Sequence, residues 1–296
     1  MENRVEISVI IVSHNACGVV GTCIDSVIGI DDAEKEVFVV DNASTDGTAG
    51  FIREKYPSVN LIANEKNMGF AAAVNLALKS CKGRYIFLLH PDAEFLLSSF
   101  RPLISFMDAR PHVGLAGLKI FNPDGTVQES FSAEYPGQKY AKGELLGLNG
   151  SLAWALSAGM VVRADVMRQV DGFDEDFFIY GGDWDLCLRV RKAGYGIDLI
   201  EAASLVHLGG QGERQALTAD SLKRRLIAEY TFYEKHYRPE TVEKITKSYL
   251  MEAGRQILKL RLLAPFYRDR KDFAERYARC QAIRHVLKND ILKKDT

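Results

Sequence analysis

The sequence predicts an α/β protein built on a mainly parallel central sheet flanked by helices, with a helical C-terminal extension. Three observations carry this expectation. Short β-branched runs alternate with helix-like segments over the first hundred residues. Polar residues gather where those runs end. The C-terminal stretch turns uniformly helical in its patterning and gains positive charge.

Ile7–Val12 (ISVIIV) is a continuous apolar run, as expected of a strand covered on both faces. Gly18 to Ile30 reads as a helix. Val37–Val40 (VFVV) is a second buried strand, and the turn-rich Asp41-Asn42-Ala43-Ser44-Thr45-Asp46-Gly47-Thr48 after it can cap the next helix. Val59–Ala63 is a third strand, Gly69–Ser80 a small-residue helix, and Tyr85–Leu89 a fourth strand running into His90-Pro91-Asp92-Ala93-Glu94. This alternation implies parallel strands joined by right-handed crossovers, and such sheets bind ligands beyond the carboxyl ends of their strands. Further on, Asn122-Pro123-Asp124-Gly125 is a hairpin-type turn, and the Gly-rich Ser130–Gly150 reads as a flexible active-site flap. Met160–Val162 is strand-like, Ala164–Val170 a short helix and Trp184–Ala193 an amphipathic helix. Ile197–Ile200 and Ser204–Leu208 look extended, and everything beyond Ala219 is helical. Two modules follow, a main α/β domain over 1–218 and a helical extension over 219–296.

Composition bounds the possibilities. With 296 residues, 47% apolar and 26% charged, the chain is an ordinary globular protein and not a disordered, collagen-like or disulfide-stapled one. A net charge of −1 argues against coating nucleic acid. No apolar run approaches the roughly 18–20 residues of a membrane-spanning helix. The start, MENRVEISVIIVSHN, lacks a signal peptide's cleavage region, and five cysteines with no pairing pattern fit a reducing cytoplasm. Charge is unevenly spread: residues 221–296 hold 19 Lys/Arg and 10 Asp/Glu, a net of +9, which leaves −10 for the rest. Mixed with Leu, Ile and Tyr stripes, that tail is either a packed helical extension or dimer contact, or a basic amphipathic surface lying on anionic lipid.

Several residues could carry chemistry, each with a plainer reading beside it. Asp92 and Glu94, two apart on an extended segment, would point the same way and suit Mg²⁺ or Mn²⁺, or else sit in a solvated loop. Asp41 could accept hydrogen bonds from a base or ribose, or simply hold a turn. Asn67-Met68-Gly69-Phe70 opens a helix whose amino end could approach an anion, or is a loop with a strained glycine. In the acidic, aromatic stretch Gly172–Arg189, Asp183 is a candidate general base or a helix cap. Asp185 and Arg189, four apart, suit an ion pair. His207, before Leu208-Gly209-Gly210, is a metal ligand or a structural histidine.

Taken in order, IIVSHN, VVDNASTDGT, NEKNMGFAAAVNLAL, YIFLLHPDAE, LSAGMVVRADVMRQVDGFDEDFFIYGGDWDLCLRVRKAG and VHLGG resemble the inverting family 2 glycosyltransferases, especially their rhamnosyltransferase-like branch. TFYEKHYRP is similar to that branch's downstream helix, and the resemblance covers roughly residues 5–240. It implies the GT-A fold of nucleotide-diphospho-sugar transferases. Asp41 would contact the nucleoside with Ser13 and Asn15 nearby, and Asn67, Gly69 and Asn75 would line the nucleotide pocket. Asp92 would bridge a divalent metal (Mg²⁺ or Mn²⁺), with Glu94 behind it and His207 as the later ligand, and Asp183 would be the base. The implied partners are a nucleotide-diphosphate-sugar donor and a glycan or lipid-linked glycan acceptor in cell-envelope polysaccharide synthesis. Two departures stand out: Gly182 replaces the glutamate usual before the base, and His90 stands where asparagine is common. Gly182 keeps open a non-catalytic sugar-nucleotide-binding relative. A sugar-phosphate nucleotidyltransferase would show a basic, Gly-rich first loop, which Ser13-His14-Asn15-Ala16-Cys17-Gly18 lacks.

Overall fold

The structure, a computed structural model, describes residues 5–209, 219–267 and 271–287. The expected domain boundary at 218/219 borders residues outside that set, and the last part of the expected helical extension, 288–296, lies outside it. Contacts divide the chain into a first unit of residues 1–135 and 147–211 and a second of residues 136–146 and 212–296.

The first unit opens as the alternation requires: β1 (Ile7–Ser13), α1 (Val20–Ile28), β2 (Lys35–Asp41), α2 (Thr48–Lys55), β3 (Asn60–Ala63), α3 (Phe70–Leu78) and β4 (Tyr85–Leu89). It continues with β5 (Ala93–Phe95), α4 (Arg101–Asp108), β6 (Val113–Phe121), β7 (Val127–Gln128), β8 (Phe131–Ser132), β9 (Trp154–Ala155), β10 (Gly159–Arg163), α5 (Ala164–Gln169), α6 (Gly182–Lys192) and β11 (Gly196–His207). The sheet order is β3-β2-β1-β4-β10-β6-β11-β5, with β7 on β6 and a separate β8–β9 pair. Successive side chains of each strand point to opposite faces, so both faces need cover. Ile7, Val9 and Ile11 pack with Val37, Val39 and Phe87 beneath α1 and α4, while Ile10, Phe38, Val40 and Leu88 pack beneath α3, α5 and α6.

The sheet is all-parallel in its first half and mixed in its second, where β11 runs parallel to β6. β3, β2, β1 and β4 run together, but β10 lies antiparallel to both β4 and β6, and β5 antiparallel to β11. The strand β6 escapes a sequence reading because VGLAGLKIF holds two glycines, which weaken a strand signal. They are there for space: a Cβ on Gly117 would stand 2.6 Å from Ala155 Cβ, and one on Gly114 2.7 Å from Tyr195 Cβ. The two extended pieces expected around residue 200 are one strand, β11, with a register shift between Ile200 and Ser204. The Asn122–Gly125 turn joins β6 to β7 as a hairpin.

Ser130–Gly150 is pinned along much of its length and is not a free flap. Arg191 donates to the carbonyls of Leu148, Asn149 and Gly150 in the first unit. In the second unit Tyr140 Oη lies 2.6 Å from Ser248 Oγ, and Glu144 accepts from Arg238 N and Thr241 Oγ1. That unit is built on α7 (Ala219–His236), α8 (Pro239–Tyr267) and α9 (Lys271–Val286), with Tyr230, Phe232, Tyr233, Tyr237 and Ile245 buried. No described helix is long and apolar enough to cross a membrane.

Candidate active site at the carboxyl edge of the sheet

The topology decides what meets here. β1, β2 and β4 end at one edge, delivering Ser13 to Asn15, Asp41-Asn42 and His90-Pro91-Asp92. The antiparallel strands start where these end. Gly159 of β10 pairs with Leu89, which places Ser157 beside His90, and Ala93 of β5 pairs with His207 at the end of β11. Residues more than a hundred positions apart thus share one edge.

His90, Asp92 and His207 converge there, their candidate ligand atoms all within 4.8 Å of one another. His90 Nδ1 lies 3.3 Å from His207 Nε2, and His207 Nε2 lies 3.2 Å from Asp92 Oδ1. Each imidazole is held from outside: Gln128 Oε1 is 3.2 Å from His207 Nδ1, and Ser157 Oγ 3.3 Å from His90 Nε2. Phe70 packs edge-on against His90, their ring centres 5.5 Å apart. Burial, reinforced by the charge of His207, lowers the His90 pKa to about 4, so this ring is neutral at pH 7. Burial alone would raise the Asp92 carboxyl; the hydrogen bond and charge of His207, with the charge of His90, outweigh it and hold Asp92 below the usual carboxylate range. Two imidazoles and a carboxylate are donor groups suited to a divalent cation.

Asp183 sits in the first turn of α6, after Gly181 in the left-handed conformation (φ 82°), so the helix start falls to glycine and not to the aspartate. Its side chain keeps some exposed surface, yet the surrounding protein desolvates the carboxylate and pushes its pKa up to about 6, against hydrogen bonds from the hydroxyl and backbone of Ser157. Ser157, itself buried, therefore links Asp183 to His90. Asp185 points inward and pairs with Arg189 at 2.6 Å, while Arg189 also binds the carbonyls of Val170 and Gly172. A Cβ on Gly182 would stand 3.2 Å from the Phe173 ring, so a glutamate stem there would press against that ring.

The remaining expected residues fall into a second cluster. Asp41 is buried; its oxygens accept from the Ser44 hydroxyl at 2.6 Å, the Ser44 amide at 3.0 Å and the Ser13 hydroxyl at 3.3 Å. Asn15, at φ 51°, takes Thr45 N on Oδ1 at 2.8 Å and gives its own amide to Ser44 Oγ. Buried Asn42 accepts from Met68 N and Asn64 Nδ2 and donates to Asn67 Oδ1 and the Gly69 carbonyl. Gly69 (φ 84°) can be nothing larger, since a Cβ would lie 2.6 Å from the Phe178 carbonyl, whose oxygen takes the Phe70 amide.

One expectation, for Glu94, needs correction, and one expected residue, Asn75, stands apart from both clusters. Glu94 does not stand behind Asp92: its side chain is exposed and absent from the cluster. The alternation that would align them requires extended backbone at both, and Asp92 lies in the turn closed by Ala93 N on the His90 carbonyl. Asn75 does not join the cluster either; its amide clamps the backbone of Phe173 and the Glu175 carboxylate. It lines a cleft of about 740 Å³ with Lys79, Arg168 and Arg189 on the sheet's face, to which none of His90, Asp92, Ser157, Asp183 or His207 contributes. Sequence reasoning passed over Ser157, Gln128 and the hub role of Asn42. Only His90, an unusual residue at a strand end, carried a signal that could have been followed.

This mixed α/β sheet, with acidic and histidine side chains gathered beyond its parallel strands, is a fold shared with solved glycosyltransferases. The mannosyltransferase of Pyrobaculum calidifontis, solved with GDP-Man and Mn²⁺, shares this fold at a TM-score of 0.60 and 16% identity, over 98% of this chain and 88% of that one. A family model described as Glycosyl transferase family 2 matches residues 8–165, and the chain belongs to that family. It is 26% identical over 202 residues to an N-acetylglucosaminyl-diphospho-decaprenol L-rhamnosyltransferase of Mycobacterium tuberculosis, a match covering 58% of this chain and 66% of that relative. It is 23% identical over 227 residues to the Escherichia coli rhamnosyltransferase WbbL, covering 70% of this chain and 84% of the relative.

Proposed function

We propose that this protein is an inverting glycosyltransferase that moves a hexose or deoxyhexose, rhamnose foremost, from a nucleotide-diphosphate sugar to a hydroxyl of a glycan or lipid-linked glycan. The observation that carries the reading is the convergence of Asp92 and His207 at the sheet edge, joined through His90 and Ser157 to Asp183. The names of the mycobacterial and E. coli relatives support the sugar, and the GDP-Man-bound neighbour supports the donor class.

Asp92 and His207 would hold a divalent cation, which would supply positive charge to offset that of the leaving diphosphate. Ser13, Asn15, Asp41 and the Asn67–Gly69 turn shape the nucleoside side, with Asp41 acting through the Ser44 turn it organises. An acceptor hydroxyl is a weak nucleophile at neutral pH, and Asp183 takes its proton as attack proceeds. A pKa near 6 leaves that carboxylate ionised at pH 7 while making it a stronger base than an ordinary aspartate. Attack opposite the diphosphate inverts the anomeric centre without a covalent enzyme intermediate.

Replacing the base tests the reading. Asp183→Asn is expected to lower transfer by about 10²–10⁴-fold while donor affinity, read by calorimetry, stays within about threefold. Transfer at the unsubstituted rate overturns the assignment. Donor binding by the unsubstituted protein with neither transfer nor hydrolysis would favour the non-catalytic reading that Gly182 keeps open.

The reading extends to a peripheral contact with anionic membrane. On α8, Met251, Leu258 and Leu262 are exposed beside the exposed Arg255, Lys259 and Arg261, a combination suited to a charged lipid surface. Vesicles containing anionic lipid should pellet the full chain at low salt, and replacing the three apolar residues with serine should abolish it; equal pelleting of both removes the contact.

A further inference from the structure

His90 stands where the resemblance leads one to expect asparagine, and its ring faces the other two members of the cluster. Neighbouring donors on one ion are about 2.9–3.4 Å apart when bonds are about 2.0–2.1 Å long and meet at 90–109°. The His90 Nδ1 to His207 Nε2 separation of 3.3 Å and the His207 Nε2 to Asp92 Oδ1 separation of 3.2 Å both fall in that interval.

The outer nitrogens fix the inner ones. His90 Nε2 faces a hydroxyl, Ser157 Oγ, and His207 Nδ1 faces an amide oxygen, Gln128 Oε1. With a proton on each outer nitrogen, both oxygens accept a hydrogen bond and both inner nitrogens present lone pairs beside the Asp92 carboxylate. In that tautomer the three lone pairs converge on one region, the arrangement that a cation's donors take.

We propose that His90 is a third metal ligand, completing a two-histidine, one-carboxylate site that selects transition ions such as Mn²⁺, Co²⁺ or Zn²⁺ over Mg²⁺. The assignment deepens the glycosyl-transfer reading and rests on it for the use to which the ion is put. Mg²⁺ prefers hard oxygen ligands and gives up water reluctantly, and one carboxylate with two imidazole nitrogens offers it little. Affinity for nitrogen-containing sites instead climbs from Mn²⁺ to Co²⁺ and beyond.

The test uses the full-length, metal-free protein without nucleotide or sugar. Calorimetric titration with MgCl₂, MnCl₂ and CoCl₂ ranks the ions, and electron-spin-echo modulation of the Mn²⁺-loaded protein counts bound imidazoles. Mn²⁺ is expected to bind at least about tenfold more tightly than Mg²⁺, Co²⁺ more tightly still, with two imidazoles on the ion. His90→Asn should weaken Co²⁺ by about 10–100-fold, leave one imidazole, and move Mg²⁺ by less than about threefold. Glu94→Gln, outside the cluster, should move none of them by more than about twofold. Equal affinity for Mg²⁺ and Mn²⁺, a single imidazole in the unsubstituted protein, or unchanged Co²⁺ binding by a folded His90→Asn overturns the proposal. The first two readouts need no variant. Failure here leaves the transferase reading standing, whereas an ion bound as expected without any sugar transfer would sink that reading and not this one.

Discussion

Around Asn42, donors and acceptors meet one for one. Its oxygen receives the Met68 amide and Asn64 Nδ2, its amide gives to Asn67 and Gly69, and the neighbouring Asp41 carboxylate is met by Ser13 and Ser44. Around His207, on the same sheet edge, two ring nitrogens and a carboxylate oxygen face one another. The first cluster is finished by folding, and its bonds hold the loops in place. The second leaves its ring nitrogens and carboxylate oxygen turned toward one another, the arrangement in which a cation's donors stand. Satisfied polar groups build a site; converging acceptors make it bind.

Disturbing the two clusters should therefore have unlike consequences. The largest expected effect is the loss of transfer in Asp183→Asn, and it should come with a gain in stability. A carboxyl whose pKa is about 6 in the folded state, against 3.8 ordinarily, binds more protons folded than unfolded between those values. Stability then falls as pH rises from about 4 to 6, and the full loss persists above. Asparagine does not titrate, so denaturant unfolding at pH 8 should show the variant more stable by about 1–3 kcal/mol, with the gain gone below pH 4. No gain at pH 8 would mean that the carboxylate is better solvated than its setting implies.

Next comes the satisfied cluster. Asn42→Ala leaves the Met68 amide and Asn64 Nδ2 without the acceptor they use, and takes one of two donors from Asn67 Oδ1 and from the Gly69 carbonyl, so it should cost about 2–4 kcal/mol in chemical unfolding. Cobalt affinity should be almost untouched in the variant that remains folded. A Co²⁺ loss as large as that of His90→Asn would show that the clusters act as one and break the contrast. The smallest effect belongs to the residue between base and cluster. Ser157→Ala removes a hydrogen bond that favours ionised Asp183, so the acid limb of kcat/KM should move upward from about pH 6, with a loss of roughly threefold to tenfold at pH 7. A lower rate with an unmoved limb would make Ser157 a packing residue and not a positioning one.

Much of this was open to a sequence reading, though unevenly. The first four strands show plainly, because Ile7–Ser13 and Tyr85–Leu89 are buried on both faces and read as unbroken apolar runs. Residues ending such runs, among them Ser13, Asp41, Asn42 and Asp92, were legible as an edge. The pattern thinned where glycines made room for close neighbours, as in β6, and where a turn cancelled strand alternation, as between Asp92 and Glu94.

What the sequence alone determined is local: which segments are strands, which helices lie between them, and which chemically capable side chains sit where a strand stops. Periodicity and capping act over a few residues and are written in their order. That His207 joins His90 and Asp92, that Ser157 reaches both His90 and Asp183, and that Glu94 and Asn75 turn elsewhere was decided by tertiary structure. The physical reason is strand direction. β10 and β5 run against their neighbours, so their beginnings lie beside the ends of β4 and β11, and no pattern confined to one segment records that pairing.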